Sequence, residues 1–137
     1  MGIHDDPVTD EQWRALAAAA RAASAHAYCR YSGFRVGAAV LTREGRIAHG
    51  CNVENASFGL TICAERSAIF RAVAEGASGI IALALYTPTP LPVTPCGACR
   101  QVLAEFGRDA SIRCTCDSEV ATTFTLAALL PQGFALD

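Results

Sequence analysis

Within four consecutive positions of the stretch ICAERSAIF, residues 62–70, the chain places a thiol at Cys63, a carboxylate at Glu65 and a guanidinium at Arg66. Twenty-nine residues separate Glu65 from PCGAC, which adds Cys96 and Cys99 as a C-x-x-C pair behind Pro95. Proline suits the first turn of a helix, and a helix start favours thiolates through its dipole and its free N–H groups. If Cys63 opens a second helix and the two starts converge, three thiolates gather around one zinc ion with a position left open. Three protein ligands and a water make the catalytic pattern, whereas four protein ligands make the structural one.

Glu65 separates those cases. A carboxylate two positions from a ligand can reach a metal-bound water without binding the metal. Zinc lowers the pKa of such a water from about 15.7 towards about 7, and a nearby glutamate can shuttle its proton. Three thiolates overcompensate the zinc charge and make that water less acidic. Arg66 offers a correction by hydrogen-bonding to ligand sulfur and withdrawing charge from it. The residue order is then ligand, proton carrier and charge corrector.

Other readings fit parts of the pattern. C-x-x-C alone also describes a redox dithiol or half of a structural zinc site, which Cys114 or Cys116 of RCTCD would complete as a closed, non-catalytic module. Arg66 alone is an ordinary solvated helix residue. Cys29 and Cys51 stand apart and read as small buried apolar residues.

The bulk of the sequence narrows the class. At 137 residues it is about one domain (residues 1–137), and 52% hydrophobic with 18% charged residues excludes disorder. Net charge is −2, so no basic surface advertises nucleic acid, and a small neutral ligand fits better. MGIHDDPVTD is too polar for a signal peptide, and no apolar run approaches the roughly 20 residues of a membrane helix. The expectation is a cytoplasmic protein with no membrane partner. Seven cysteines in such a chain point to metal or redox chemistry rather than disulfides.

The positioning elements follow from periodicity. VTDEQWRALAAAARAASAHA predicts a helix with Thr9 as cap, Gln12 three residues on, and Val8 and Trp13 at the staple positions. FRVGAAVLT alternates, which predicts a strand with Phe34, Val36, Ala38 and Val40 on one face. A REG turn and RIAHGCNVE complete a hairpin. A helix from about Cys63 to Glu75, a buried strand in GIIALALYT, a break at PTPLPVTP, and a helix from Pro95 or Cys96 to about Phe106 come next. Strands in SIRCTCD and ATTFT and a short helix in LAALLP close the chain. The order α-β-β-α-β-α-β-β-α predicts an α/β fold, a three-layer α/β/α sandwich on a mixed five-stranded sheet.

The combination C-x-E, then P-C-x-x-C, is of the kind found in zinc nucleobase deaminases. With YSGFRVGAAVL, GCNVENASFGLTICAERSAI, PCGACRQVLAEF and LLPQGF in order, nearly the whole chain resembles the cytidine deaminase family, specifically its short, three-cysteine, homotetrameric type. The resemblance implies zinc ligands Cys63, Cys96 and Cys99, one zinc per subunit, and Glu65 as proton shuttle. It implies ribose contacts from Asn52 and Glu54, packing of Phe34 near the pyrimidine, and backbone N–H contacts around Ala64 to its carbonyl. Phe134 matches a residue that reaches into a neighbouring subunit's site. Without the family match, Asn52 and Glu54 read as loop caps and Phe34 and Phe134 as core. The implied reaction is hydrolysis of cytidine and deoxycytidine to uridine and deoxyuridine with release of ammonia, in pyrimidine salvage. A blasticidin S-type cytosine nucleoside deaminase is the enzymatic alternative. Phe58 stands where many relatives carry tyrosine, and RCTCD holds more cysteine than the pattern needs.

Overall fold

The computed structural model describes residues 7–136; the polar opening MGIHDD lies outside them. The first helix, α1 (Asp10–Ser24), begins at the expected capping box. The Thr9 hydroxyl accepts the Gln12 N–H, and the Gln12 side chain accepts the Thr9 N–H. Its stripe of Trp13, Leu16 and Ala20 is buried against Ala39, Leu41, Ala82, Ala84 and Tyr86 of the sheet, with Val8 packed alongside. Two guanidiniums add to this layer, Arg113 lying 4.5 Å from the Trp13 ring and Arg21 4.8 Å from the Tyr86 ring.

The sheet holds β1 (Gly37–Thr42), β2 (Ile47–Cys51), β3 (Ile80–Tyr86), β4 (Ser111–Thr115) and β5 (Thr122–Thr125), in the order β2-β1-β3-β4-β5. Only β3 and β4 run parallel, joined through α3 (Gly97–Phe106). A parallel pair needs such a crossover, and its carboxyl ends are where open α/β sheets place ligands. The hairpin β1–β2 turns at Gly45, whose φ of 87° suits glycine. On the face opposite α1, the helices α2 (Ala64–Ala74), α3 and α4 (Leu126–Leu129) bury Ala68, Ile69, Leu103 and Leu126 against Val40, Leu83, Leu85 and Ile112. This is the three-layer α/β/α arrangement on a mixed five-stranded sheet that the sequence predicts. Every residue of β1 is buried because both its faces are covered.

One expectation fails at the start of β1. Phe34 and Val36 do not continue the strand; Phe34 is 40% exposed and lies on a loop rather than in the core. The Asn52 side chain takes over there, accepting the Val36 N–H at 2.9 Å and donating to the Phe34 carbonyl at 2.7 Å. Side-chain polar groups of this kind replace ladder bonds and peel the segment away from the sheet.

The helices sit so close to the hairpin that side chains are excluded at two points. A Cβ on Gly37 would lie 1.7 Å from the Ala20 carbonyl oxygen of α1, and one on Gly50 would lie 2.5 Å from the Ala68 nitrogen of α2. Gly37→Ala and Gly50→Ala are each expected to cost about 1–3 kcal/mol through overpacking. Urea unfolding checks this, with a lowered midpoint at unchanged slope as the expected outcome.

Candidate active site

Cys63 and Cys96 are the N-caps of α2 and α3, both in extended backbone (ψ 154° and 166°), and neither side chain caps its own helix. Cys99 lies one turn into α3 and is buried. The three sulfurs lie within 4.8 Å of one another, with Cys63 and Cys96 4.0 Å apart and Cys96 and Cys99 3.5 Å apart. Sulfurs bound at about 2.3 Å to a tetrahedral zinc are separated by about 3.8 Å, so the donor set fits that ion. Among the described residues this is the group of side chains able to hold a metal, and it has three members. Cys114 is instead in the core on the sheet face that carries α2, α3 and α4, where burial pushes its thiol up to about 11. Cys116 follows β4, its sulfur 3.6 Å from the Pro90 carbonyl oxygen and 3.3 Å from that of Val120. Neither joins the three, so the closed four-cysteine module does not form.

Charge within the group is uneven. A hydrogen bond from Cys99 leads in drawing Cys63 down to about 5; burial opposes this, and Arg66 assists through Nη2, 3.4 Å from the Cys63 sulfur. Cys99 shifts upward by the same hydrogen bond and by burial. Arg66 rises further above its ordinary value through its bond to Cys63. Its Nε is buried without a partner, the one such side-chain nitrogen or oxygen among the described residues. One guanidinium nitrogen thus meets the Cys63 sulfur while Nε is shut off from solvent, so Arg66 is not a fully solvated surface group.

Glu65, in the first turn of α2, is 5% exposed. Burial raises its carboxyl to about 7, with the Cys63 charge adding to the shift. It lines a cleft of about 240 Å³ together with Phe34, Asn52, Cys63, Ala64 and Thr94. Ala64 is the first residue of α2, where an N–H has no intrahelical acceptor and is free for a ligand. Thr61, Thr87 and Val93 also line the cleft. No catalytic residue type marks those positions, and PTPLPVTP reads in the sequence only as a break.

A second depression of about 380 Å³ shares Thr61 and is lined by Tyr31, Ser32, Glu54 and Phe58. Glu54 binds the 31–32 backbone: Oε1 accepts the Tyr31 and Ser32 N–H groups at 3.0 and 3.1 Å, and Oε2 accepts the Ser32 hydroxyl. The Ser32 hydroxyl leads in lowering the Glu54 carboxyl below its ordinary value. Asn52 and Glu54 thus both hold the loop that carries Phe34 as well as facing the clefts. Phe58 meets Tyr31 edge-on at 6.0 Å and is 75% exposed. Phe134 is outside the cleft of its own chain, 68% exposed, with its backbone paired to the Gln101 amide at 2.8 and 3.2 Å.

A family model described as the cytidine and deoxycytidylate deaminase zinc-binding region matches residues 10–115. The chain belongs to this deaminase family. A cytidine deaminase of Sporosarcina psychrophila is 46% identical over 122 residues, covering 88% of this chain and 89% of its own. One from Mycobacterium tuberculosis is 42% identical over 128 residues, 93% of either chain. Among solved structures, cytidine deaminase from Burkholderia pseudomallei superposes with a TM-score of 0.84 at 45% identity, covering 88% of this chain and 98% of that one. As a family member the chain carries a zinc-binding region, and its three-cysteine group suits that metal.

The two Asn52 bonds give a test of its structural share. Asn52→Ala strands the Val36 N–H and the Phe34 carbonyl, which is expected to cost about 1–3 kcal/mol. Urea unfolding of the nucleoside-free protein should show that loss.

Proposed function

We propose that this chain hydrolyses cytidine and deoxycytidine to uridine and deoxyuridine, releasing ammonia, as a single catalytic domain. The observation that carries the reading is a buried carboxylate, Glu65, in one cleft with a three-thiol group at two helix starts. Cys63, Cys96 and Cys99 are the ligands of one zinc ion per chain. Zinc held there supplies Lewis acidity, lowering the pKa of a coordinated water from about 15.7 towards neutrality.

Glu65 moves the protons. It takes one from the water that adds to C4 of the pyrimidine and delivers it to N3. It then takes the second from the new hydroxyl group and gives it to the amino nitrogen, so that ammonia leaves as the carbonyl of uridine forms. A carboxyl held near neutral pH by burial accepts and returns protons with little bias. Arg66 withdraws charge from the Cys63 sulfur. The free N–H of Ala64 meets the pyrimidine carbonyl, and Phe34 packs against the ring. Asn52 has one amide hydrogen and one lone pair left over from its two loop bonds, and Glu54 keeps acceptor capacity, so both can hold ribose hydroxyls.

The charged groups lining the two clefts are the Glu54 and Glu65 carboxylates and the Cys63 thiolate, with no basic side chain among the lining residues. A neutral nucleoside enters such a site, whereas a phosphate meets like charge. This favours the nucleoside over the nucleotide. An exposed Phe134 outside its own cleft supports a homotetramer in which it completes a neighbour's site. The remaining readings, a cytoplasmic place and a role in pyrimidine salvage, rest on the family. No helix among the described residues is long and apolar enough to cross a membrane.

Glu65→Gln keeps the shape of the cleft and the thiols but cannot carry a proton. It should retain zinc, measured by metal analysis, while kcat on cytidine falls by about 10²–10⁴. Near-normal kcat would defeat the proposal. Wild-type enzyme should also show kcat/KM on cytidine 5′-monophosphate at least ~10²-fold below that on cytidine, since like-charge contacts cost several kcal/mol. Parallel ultraviolet assays of the two compounds check this.

A further inference from the structure

We infer that Arg100 is the positioning residue for Cys96 and for the Thr94 wall of the cleft; this rests on reading Cys96 as a zinc ligand. Cys96 is exposed and precedes the first residue of α3, so the body of the helix does not bury it. The segment before it, Val93-Thr94-Pro95, has no regular secondary structure and supplies the cleft residues Val93 and Thr94. Something outside that segment must fix it.

Arg100 sits in the first turns of α3 and reaches back over the helix start. Its Nε donates to the Pro95 carbonyl at 2.7 Å and its Nη2 to the Thr94 hydroxyl at 3.0 Å. Its Nη1 donates to the Leu129 carbonyl at the end of α4 at 3.0 Å. The planar fork therefore joins the strand-to-helix segment, α3 and the last helix in one plane. A lysine, a point charge with no planar fork, cannot satisfy three such acceptors in those directions.

The placement runs against the usual preference for cations at the other end of a helix, because a helix start already carries partial positive charge. Three directed bonds offset that. The Pro95 carbonyl is joined by one peptide unit to the nitrogen of Cys96, so holding the carbonyl holds the Cys96 backbone plane. The Cys96 carbonyl in turn accepts the Arg100 N–H at 3.0 Å. Cys96 is clasped on both sides by one residue. Outer groups that orient ligands commonly cost 10–100-fold in metal affinity when removed.

The test loads purified enzyme with zinc and follows its release to an excess of a chromogenic chelator. Arg100→Lys should release zinc about 10–100-fold faster than wild type. Thr94→Val, which removes one of the three acceptors, should show a smaller acceleration with a raised KM for cytidine, and it keeps the test open if Arg100→Lys does not fold. Gly37→Ala, destabilised on the opposite face of the sheet, should release zinc at the wild-type rate, separating positioning from general loss of stability. Release from a folded Arg100→Lys within about two-fold of wild type, or acceleration in Gly37→Ala equal to that in the Arg100 variant, overturns the inference. A wild-type protein that retains no zinc overturns it together with the ligand reading, an outcome distinct from the first two.

Discussion

Everything in this molecule is organised around the convergence of two helix starts on one point. Thiolates repel one another, and three sulfurs within 4.8 Å can carry negative charge only where positive charge is fixed nearby. The starts of α2 and α3 provide it through their free N–H groups, and Arg66 provides it through a guanidinium on the Cys63 sulfur. A metal ion would complete the compensation. The same helix start that presents Cys63 sets Glu65 two residues on, so thiol and carboxylate share one rigid turn. Their relation needs no loop to close.

The sheet makes that convergence stable. α2 approaches the hairpin at Gly50 and α1 approaches it at Gly37 closely enough to exclude a methyl group, which fixes the depth of both helices against β1 and β2. α3 belongs to the crossover between the parallel strands β3 and β4, so its start lies at their carboxyl ends beside Thr87. Polar side chains then hold the cleft rim: Asn52 and Glu54 bind the 31–36 loop, and Arg100 binds the 94–95 segment. Function and scaffold overlap in Asn52 and Glu54, because each spends part of its hydrogen-bonding capacity on a loop and leaves part facing a cleft, whereas Arg100 acts on the cleft through the 94–95 segment.

Much of this was legible in the sequence because it is local. The Thr9–Gln12 capping box, the element order and the two cysteine motifs depend on neighbours within a few positions, and each is present in the structure. What the sequence does not reveal depends on contacts across long separations. Alternation extends β1 back to Phe34, but the Asn52 amide, sixteen residues beyond Val36, competes for the backbone and turns the segment out to the cleft. SIRCTCD predicts a strand through both cysteines, yet the strand ends at Thr115, so Cys114 enters the core and Cys116 a loop. The three acceptors of Arg100 lie in two separate segments, and no periodicity announces them.

The central claim is that the three thiols hold a metal with one coordination position left for solvent. X-ray absorption at the zinc edge of the loaded protein measures that shell directly. A first shell of three sulfurs and one light oxygen or nitrogen scatterer is the predicted result. Four sulfurs, or a shell without sulfur, would contradict the account.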